Sequence, residues 1–245
     1  MVDLFFQALL FSFILLGIHA SFGLEIVRRG IIFVDIAVAQ FAAVGLALSI
    51  LIFHEPSYLM AFVFSLFAGM LVALSQVKKE FAEAFIGLLY ALGFSSVVLI
   101  LSQTPHGMEE FLQLTAGDIL FVSKKEILIS GMLYAAIGFL LYLRRYLRNE
   151  LLREVSFFTL FSITVTSSVK LVGVLIVFSI LVAPALVANL LGKGLLFAWV
   201  YGALVNTLGI LISFKLDLPT GFTLVFFHAL TGILVFLTTL KKSVS

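Results

Sequence analysis

Cysteine is absent from this 245-residue chain, which excludes a disulfide framework, a thiol nucleophile and any Cys-ligated metal. Charge is scarce: Asp, Glu, Lys and Arg make up 11% of residues, less than half of the roughly 25% usual in soluble domains. The net charge of +2 is too small to point to nucleic acid. Motifs for chemistry are missing as well. No HExxH, no GxSxG, no rhomboid-like Ser/His pair and no nucleotide-binding glycine loop occurs. Gly192-Lys193-Gly194 lacks the upstream glycine and the Ser/Thr of a phosphate loop and reads as a turn. The sequence therefore predicts no enzyme.

Apolar length is what the chain has. Hydrophobic residues are 62% of it, 27 of them Phe, and the mean hydropathy is +1.24. A helix needs about 20 apolar residues to cross roughly 30 Å of hydrocarbon. Nine stretches approach that length: 4–27, 31–53, 58–77, 84–102, 126–144, 156–169, 171–191, 195–214 and 220–240. The expectation is an all-α membrane bundle forming a single domain over 1–245. The sixth stretch is short, and eight spans result if 156–191 forms a broken hairpin. Asp3 precedes the first run with no Lys or Arg, and the run is too long for a cleavable signal, so it reads as a retained span.

Basic residues set the expected orientation. With the amino end outside and the carboxyl end cytoplasmic, the inner side holds Arg28, Arg29, Lys78, Lys79, Arg144, Arg145, Arg148, Arg153, Lys193, Lys241 and Lys242, eleven in all. Four remain outside: Lys124, Lys125, Lys170 and Lys215. The inverse arrangement breaks the positive-inside rule. Two connections stand out. The outer segment 103–126 has helical spacing in Phe111, Leu112, Leu114 and Leu120, suiting an interfacial or re-entrant helix. The inner segment 144–154 (RRYLRNELLRE) is the most charged, and is either a partner-docking surface or a solvated continuation of the fifth span.

Ionisable groups at membrane depth are costly and are functional candidates by default. Asp35 leads, with paired Arg28 or Arg29 or a helix cap as its structural alternative. Gln40 lies about 140° around the helix from it. His19 and His228 are buried in the first and last spans, where a hydrogen bond to a backbone carbonyl is the simpler role. In the outer loops His54-Glu55 and His106 with Glu109 place imidazole beside carboxylate, a composition suited to a divalent cation and equally to a polar loop tip. Pro184, inside an apolar run, predicts a helix break. Small residues cluster at Ala37, Ala39, Ala42, Ala43 and Gly45, and again at Gly202 and Gly209, as helix contacts require.

Two blocks add a resemblance. VRRGIIFVDIAVAQFAAVGLALS (27–49), and VGVLIVFSILVAPALVANLL (172–191) followed by LISFKLDLPTGFTLV (211–225), resemble the permease subunits of metal-type ABC importers for zinc, manganese or iron. The matching elements are Arg28-Arg29, Asp35, Gly45, Val172–Leu175, Pro184 and the Leu218–Gly221 turn, with Pro105–Glu109 and Gly117-Asp118 similar to one branch. The likeness spans approximately residues 17–240.

The resemblance implies a homodimeric permease in the inner membrane, a cytoplasmic ATP-binding subunit and an extracytoplasmic metal-binding protein. It implies alternating access for a divalent metal, no permanently bound cofactor and ATP used by the partner. Asp35, with Gln40 and His19, would line the metal pathway; His54, Glu55, His106 and Glu109 would form an outer funnel. Arg144, Arg145, Arg148, Glu150 and Arg153 would contact the ATPase. Two features depart from the family pattern. Ala39 stands where the family has His, and the cytoplasmic segment after the fifth span is shorter by about three helical turns. They motivate an alternative: a non-transporting or uncoupled scaffold built on the same permease fold.

Overall fold

The computed structural model describes residues 2–104 and 118–244, with side chains over 3–104 and 118–240. Of the outer segment 103–126 expected to hold an interfacial or re-entrant helix, residues 105–117, with His106 and Glu109, lie outside the described residues, and Ile119–Phe121 form a 3-10 turn. Nine α-helices account for most of the rest: α1 (Val2–Arg29), α2 (Val34–Phe53), α3 (Tyr58–Ser75), α4 (Lys79–Leu101), α5 (Lys124–Leu143), α6 (Glu150–Val172), α7 (Val174–Leu190), α8 (Leu195–Leu216) and α9 (Thr220–Val244). The polytopic helical expectation holds. Lipid offers no hydrogen bonds, so a spanning segment must satisfy its backbone internally, and a helix does so within one segment.

Several boundaries differ from those expected. α2 begins at Val34 because Gly30 adopts φ +71° and 31–33 form a turn. α4 begins at Lys79, five residues before the apolar run. The sixth helix is not a half-span. It has 23 residues because Asn149 caps it, its Oδ1 accepting the Leu152 N–H at 3.1 Å, so the charged turn Glu150–Arg153 is already helical. The break expected at Pro184 is not there either. α7 runs helically through Pro184, and the interruption falls at Gly173, whose φ of +84° and ψ of 160° suit glycine alone.

The chain divides into two units. One comprises 31–117 and 136–170. Here α2 is central, with fourteen of its 20 residues buried. Gln40 meets Gly93 of α4, and Ala43, Val44 and Ala47 pack on Val97 and Leu101, so α4 runs parallel to α2. Gly45 meets Met60, Ala42 and Leu46 meet Ala61, and the Phe41 and Phe67 rings lie 6.3 Å apart, so α3 runs antiparallel. The continuous apolar stretch Tyr58–Leu101 is therefore folded back at the 3-10 turn Gln76–Lys78. Contacts of Gly69 with Ser162 and of Lys170 with the Tyr58 ring, 3.7 Å from its centroid, set α6 antiparallel to α3.

The other unit comprises 1–30, 118–135 and 171–245. α1 and α7 run parallel and cross where Gly23 faces Leu181 and Ala185. α8 is antiparallel to both: Trp199 Nε1 donates to the Gly17 carbonyl at 3.1 Å, and Phe214 stacks edge-on against Phe5. α9 returns along α8, its first turn tied by Ser213 Oγ to Thr220 Oγ1 at 2.6 Å. Within each unit helices of odd number thus run one way and helices of even number the other, as successive spans require. Lys78, Arg145, Arg148 and Arg153 lie towards one end of their unit, and Lys170 towards the other.

Gly45 sets the closest helix approach in the first-described unit. A Cβ there would fall 2.6 Å from the Met60 carbonyl carbon, and backbone cannot swing aside. Gly45→Ala is expected to cost about 1–3 kcal/mol, seen as a lower thermal midpoint in detergent. Gly87→Ala, where nothing lies within 4 Å, should leave the midpoint unchanged or slightly raised. Equal midpoints for the two variants would contradict this packing.

Candidate functional site

Asp35 lies in the first turn of α2, where the helix dipole favours a carboxylate. It is 0% exposed, and neither Oδ1 nor Oδ2 has a hydrogen-bond partner among the described residues. The backbone N–H groups of Asp35 and Ile36 are near but fall short of hydrogen-bond geometry. Neither arginine of the Arg28-Arg29 pair is ion-paired with Asp35 among the described residues. Arg28 Nε donates to Asn189 Oδ1 at 3.0 Å, and Arg29 pairs with Glu25 one turn back on α1. Asp35 is a buried carboxylate that the folded chain leaves unsatisfied, which is the expensive state.

Other buried oxygens of the same unit also lack partners among the described residues. Glu83 of α4 lies beside the backbone N–H of Phe33, the residue before the helix that carries Asp35. Its Oε2 is buried without a partner, as are Ser162 Oγ and Thr166 Oγ1 of α6, one turn apart. Ala39, at i+4 from Asp35, is buried and offers no ligand. Gln40 is directed at Gly93, with a glycine Cβ position 2.9 Å from its own Cβ, consistent with a different face from Asp35. Sequence reasoning missed Glu83. The apolar run begins one residue after it, so it read as solvated loop.

The other predicted positions are distributed. His19 is fully buried in α1, its ring 6.5 Å from that of Tyr134 of α5. His54 and Glu55 are exposed after α2, His54 in the left-handed conformation that ends the helix. Among the described residues no three His, Asp or Glu side chains converge as a metal cluster. In the 144–154 segment, Arg145 lies 3.4 Å over the Tyr142 ring and 5.0 Å from that of Tyr146, while Arg148, Glu150 and Arg153 are exposed. Arg144 instead turns onto Phe157, 4.6 Å from its centroid, and packs α6.

His228 of α9 has a partner the sequence did not reveal. Asn206 Nδ2 of α8 donates to the Ser12 carbonyl of α1 at 3.2 Å, which turns its Oδ1 towards His228 Nε2 at 2.7 Å. That orientation makes Nε2 the protonated nitrogen. The signal available was a lone Asn in the apolar run 195–214.

Comparison with known proteins agrees with this architecture. The model of the ABC 3 transport family matches residues 1–153 and 147–239, and the chain belongs to that family. It is a multi-pass permease of the inner membrane. A Haemophilus influenzae "probable iron transport system membrane protein" is 26% identical, over 96% of this chain and 90% of its own length. A Thermotoga maritima "probable metal transport system membrane protein" is 24% identical, over 80% and 76%. The fold is shared with PsaBC from Streptococcus pneumoniae, solved with a Fab, at TM-score 0.70 and 19% identity, covering 95% of this chain and 91% of that one. It is shared too with a metal-chelate type ABC transporter in an inward-facing conformation, at TM-score 0.67 and 18% identity, over 97% and 85%.

The Asn206–His228 tie generates a prediction. Asn206→Leu should destabilise by about 1–2 kcal/mol, because it leaves the imidazole N–H unsatisfied in an apolar interior. Paired with His228→Leu in a double-mutant cycle, the coupling should be about 0.6–1.7 kcal/mol, read from unfolding in mixed detergent micelles. Strict additivity would remove the bond from the account.

Proposed function

We propose that this chain is the membrane-spanning subunit of an ATP-driven importer for a divalent metal ion, working by alternating access as a homodimer. The observation that carries the reading is Asp35: a carboxylate fully buried at a helix start, with no partner for either oxygen among the described residues. A passing cation supplies what the folded chain withholds. The names of the Haemophilus influenzae and Thermotoga maritima relatives, iron and metal transport, support the cargo class. The amino end is placed outside and the carboxyl end in the cytoplasm, on the distribution of basic residues.

Among zinc, manganese and iron, the donors favour the last two. The unpartnered oxygens of this unit, Asp35 on α2 first among them, are carboxylate and hydroxyl groups, and Ala39 removes the imidazole that zinc prefers. An ATP-binding subunit and an extracytoplasmic metal-binding protein complete the assembly. The exposed Arg145, Arg148, Glu150 and Arg153, beside exposed Tyr146, Leu147, Leu151 and Leu152, form the surface offered to the ATPase.

One observation favours a second reading, a scaffold without transport. Between α5 and α6 only 144–149 intervene, holding one 3-10 turn and no docking helix. The two matched stretches of the family model also meet in this segment, overlapping at 147–153. Recovery of a stoichiometric ATPase with the tagged protein from gentle detergent supports the importer; its reproducible absence supports the scaffold.

In proteoliposomes holding the chain with its ATPase, Asp35→Asn is expected to lower ATP-dependent manganese or iron uptake about tenfold or more, since it removes the charge that offsets the ion's lost hydration. Complex assembly should be unaffected. Undiminished uptake by the variant would remove Asp35 from the pathway, and zinc outcompeting manganese would overturn the preference for hard ions.

A further inference from the structure

A groove of about 580 Å³ opens along α1 and α5, within one unit. Gln7, Leu10 and Ile14 form its α1 wall at helical spacing; Lys124, Gly131 and Met132 contribute from α5. Both helices are long and apolar enough to span a membrane, and the groove between them is lined by apolar residues apart from Lys124 and Gln7. Its polar groups are all at one end. Lys124 opens α5, and Gln7 lies at the same level, because α1 and α5 run parallel: Ile14 faces Gly131, and His19 faces Tyr134.

Neither the Lys124 ammonium nor the Gln7 amide has an ion pair or hydrogen bond among the described residues. The neighbouring carboxylate, Glu126, is engaged by Ser123, whose N–H and Oγ–H donate to it at 2.9 and 2.7 Å. An uncommitted cation and an uncommitted amide thus sit above an apolar trough. From Lys124 to Ala135 the trough runs about 16 Å at 1.5 Å per residue, half of a hydrocarbon core roughly 30 Å thick. That is one leaflet. Gly131 keeps its floor open, where an added Cβ would meet only Ile14 Cδ1, at 3.6 Å.

We propose that this groove is a binding site for one anionic glycerophospholipid, its phosphate held by Lys124 and Gln7 and one acyl chain lying over Gly131. The match of charge at the head and of length along the trough selects this occupant, and the argument does not depend on the transport reading.

The test is native mass spectrometry of the full chain carried through stepwise detergent delipidation and then titrated with phosphatidylglycerol or phosphatidylcholine. The wild type should hold a single phosphatidylglycerol, about fivefold or more above phosphatidylcholine, as expected for one lysine at a headgroup. Lys124→Ala should abolish that preference and Lys124→Arg restore it. Gly131→Leu, filling the floor, should exclude the lipid while Lys124 remains. Thermal midpoints of the delipidated variants matching the wild type show that folding is intact. Equal retention by wild type and Lys124→Ala, or no headgroup preference, overturns the proposal. So does crosslinking of two copies through Met132→Cys, the lone cysteine in such a chain, which would make a second subunit the occupant.

Discussion

A polar group carried into hydrocarbon must find its partner inside the protein, since lipid supplies none. Most of this chain's buried polar groups obey that constraint locally. Ser12, Ser49, Ser65 and Thr164 return their hydroxyls to carbonyls three or four residues back. Larger groups obey it across helices. Arg28 reaches Asn189, and Asn206 spans from Ser12 to His228, tying α1, α8 and α9. Against that background Asp35 stands out among the few unpartnered groups as a carboxylate bare at both oxygens, a physical cost that calls for a use.

The exception is held in place by the most closely packed helix of its unit. α2 approaches α3 at Gly45 and α4 at the Gln40–Gly93 contact. Small residues do this work because hydrocarbon gives no hydrophobic drive between helices; close backbone approach and dispersion must supply the attraction. The same packing keeps the N-terminal turn of α2 from rotating to relieve Asp35.

How far this was legible in the sequence depends on scale. The helical class follows from apolar length, and Asp35 stands out because one carboxylate interrupts an apolar run. Helix ends were less readable. Hydropathy truncates any helix whose first turn is charged, which is why α4 and α6 start before their apolar runs. Pro184 misled for another reason. The ring costs one hydrogen bond, which a helix packed on both sides absorbs, and here its Cγ lies near Gly202 in the α7–α8 contact. Glycine at 173, with no side chain to flag it, ends a helix through φ instead. Partnerships such as Asn206 with His228 require the helix register, which no single span encodes.

The 144–154 segment shows how one charged stretch divides its labour. Arg144 is spent on Phe157, joining the end of α5 to α6, and Asn149 is spent on the cap of α6. Arg145 is held between two tyrosines, which orders its side chain before any partner arrives. Only Arg148, Glu150 and Arg153 remain uncommitted on the surface, flanked by exposed leucines. A docking surface of that size depends on the rigidity of α6 rather than on a separate helix. α6 continues without interruption from Glu150 to Val172, past Ser162 and Thr166, whose hydroxyls have no partner among the described residues. In the proposed importer, the shortened connection is thereby compatible with coupling: the lever is α6 itself.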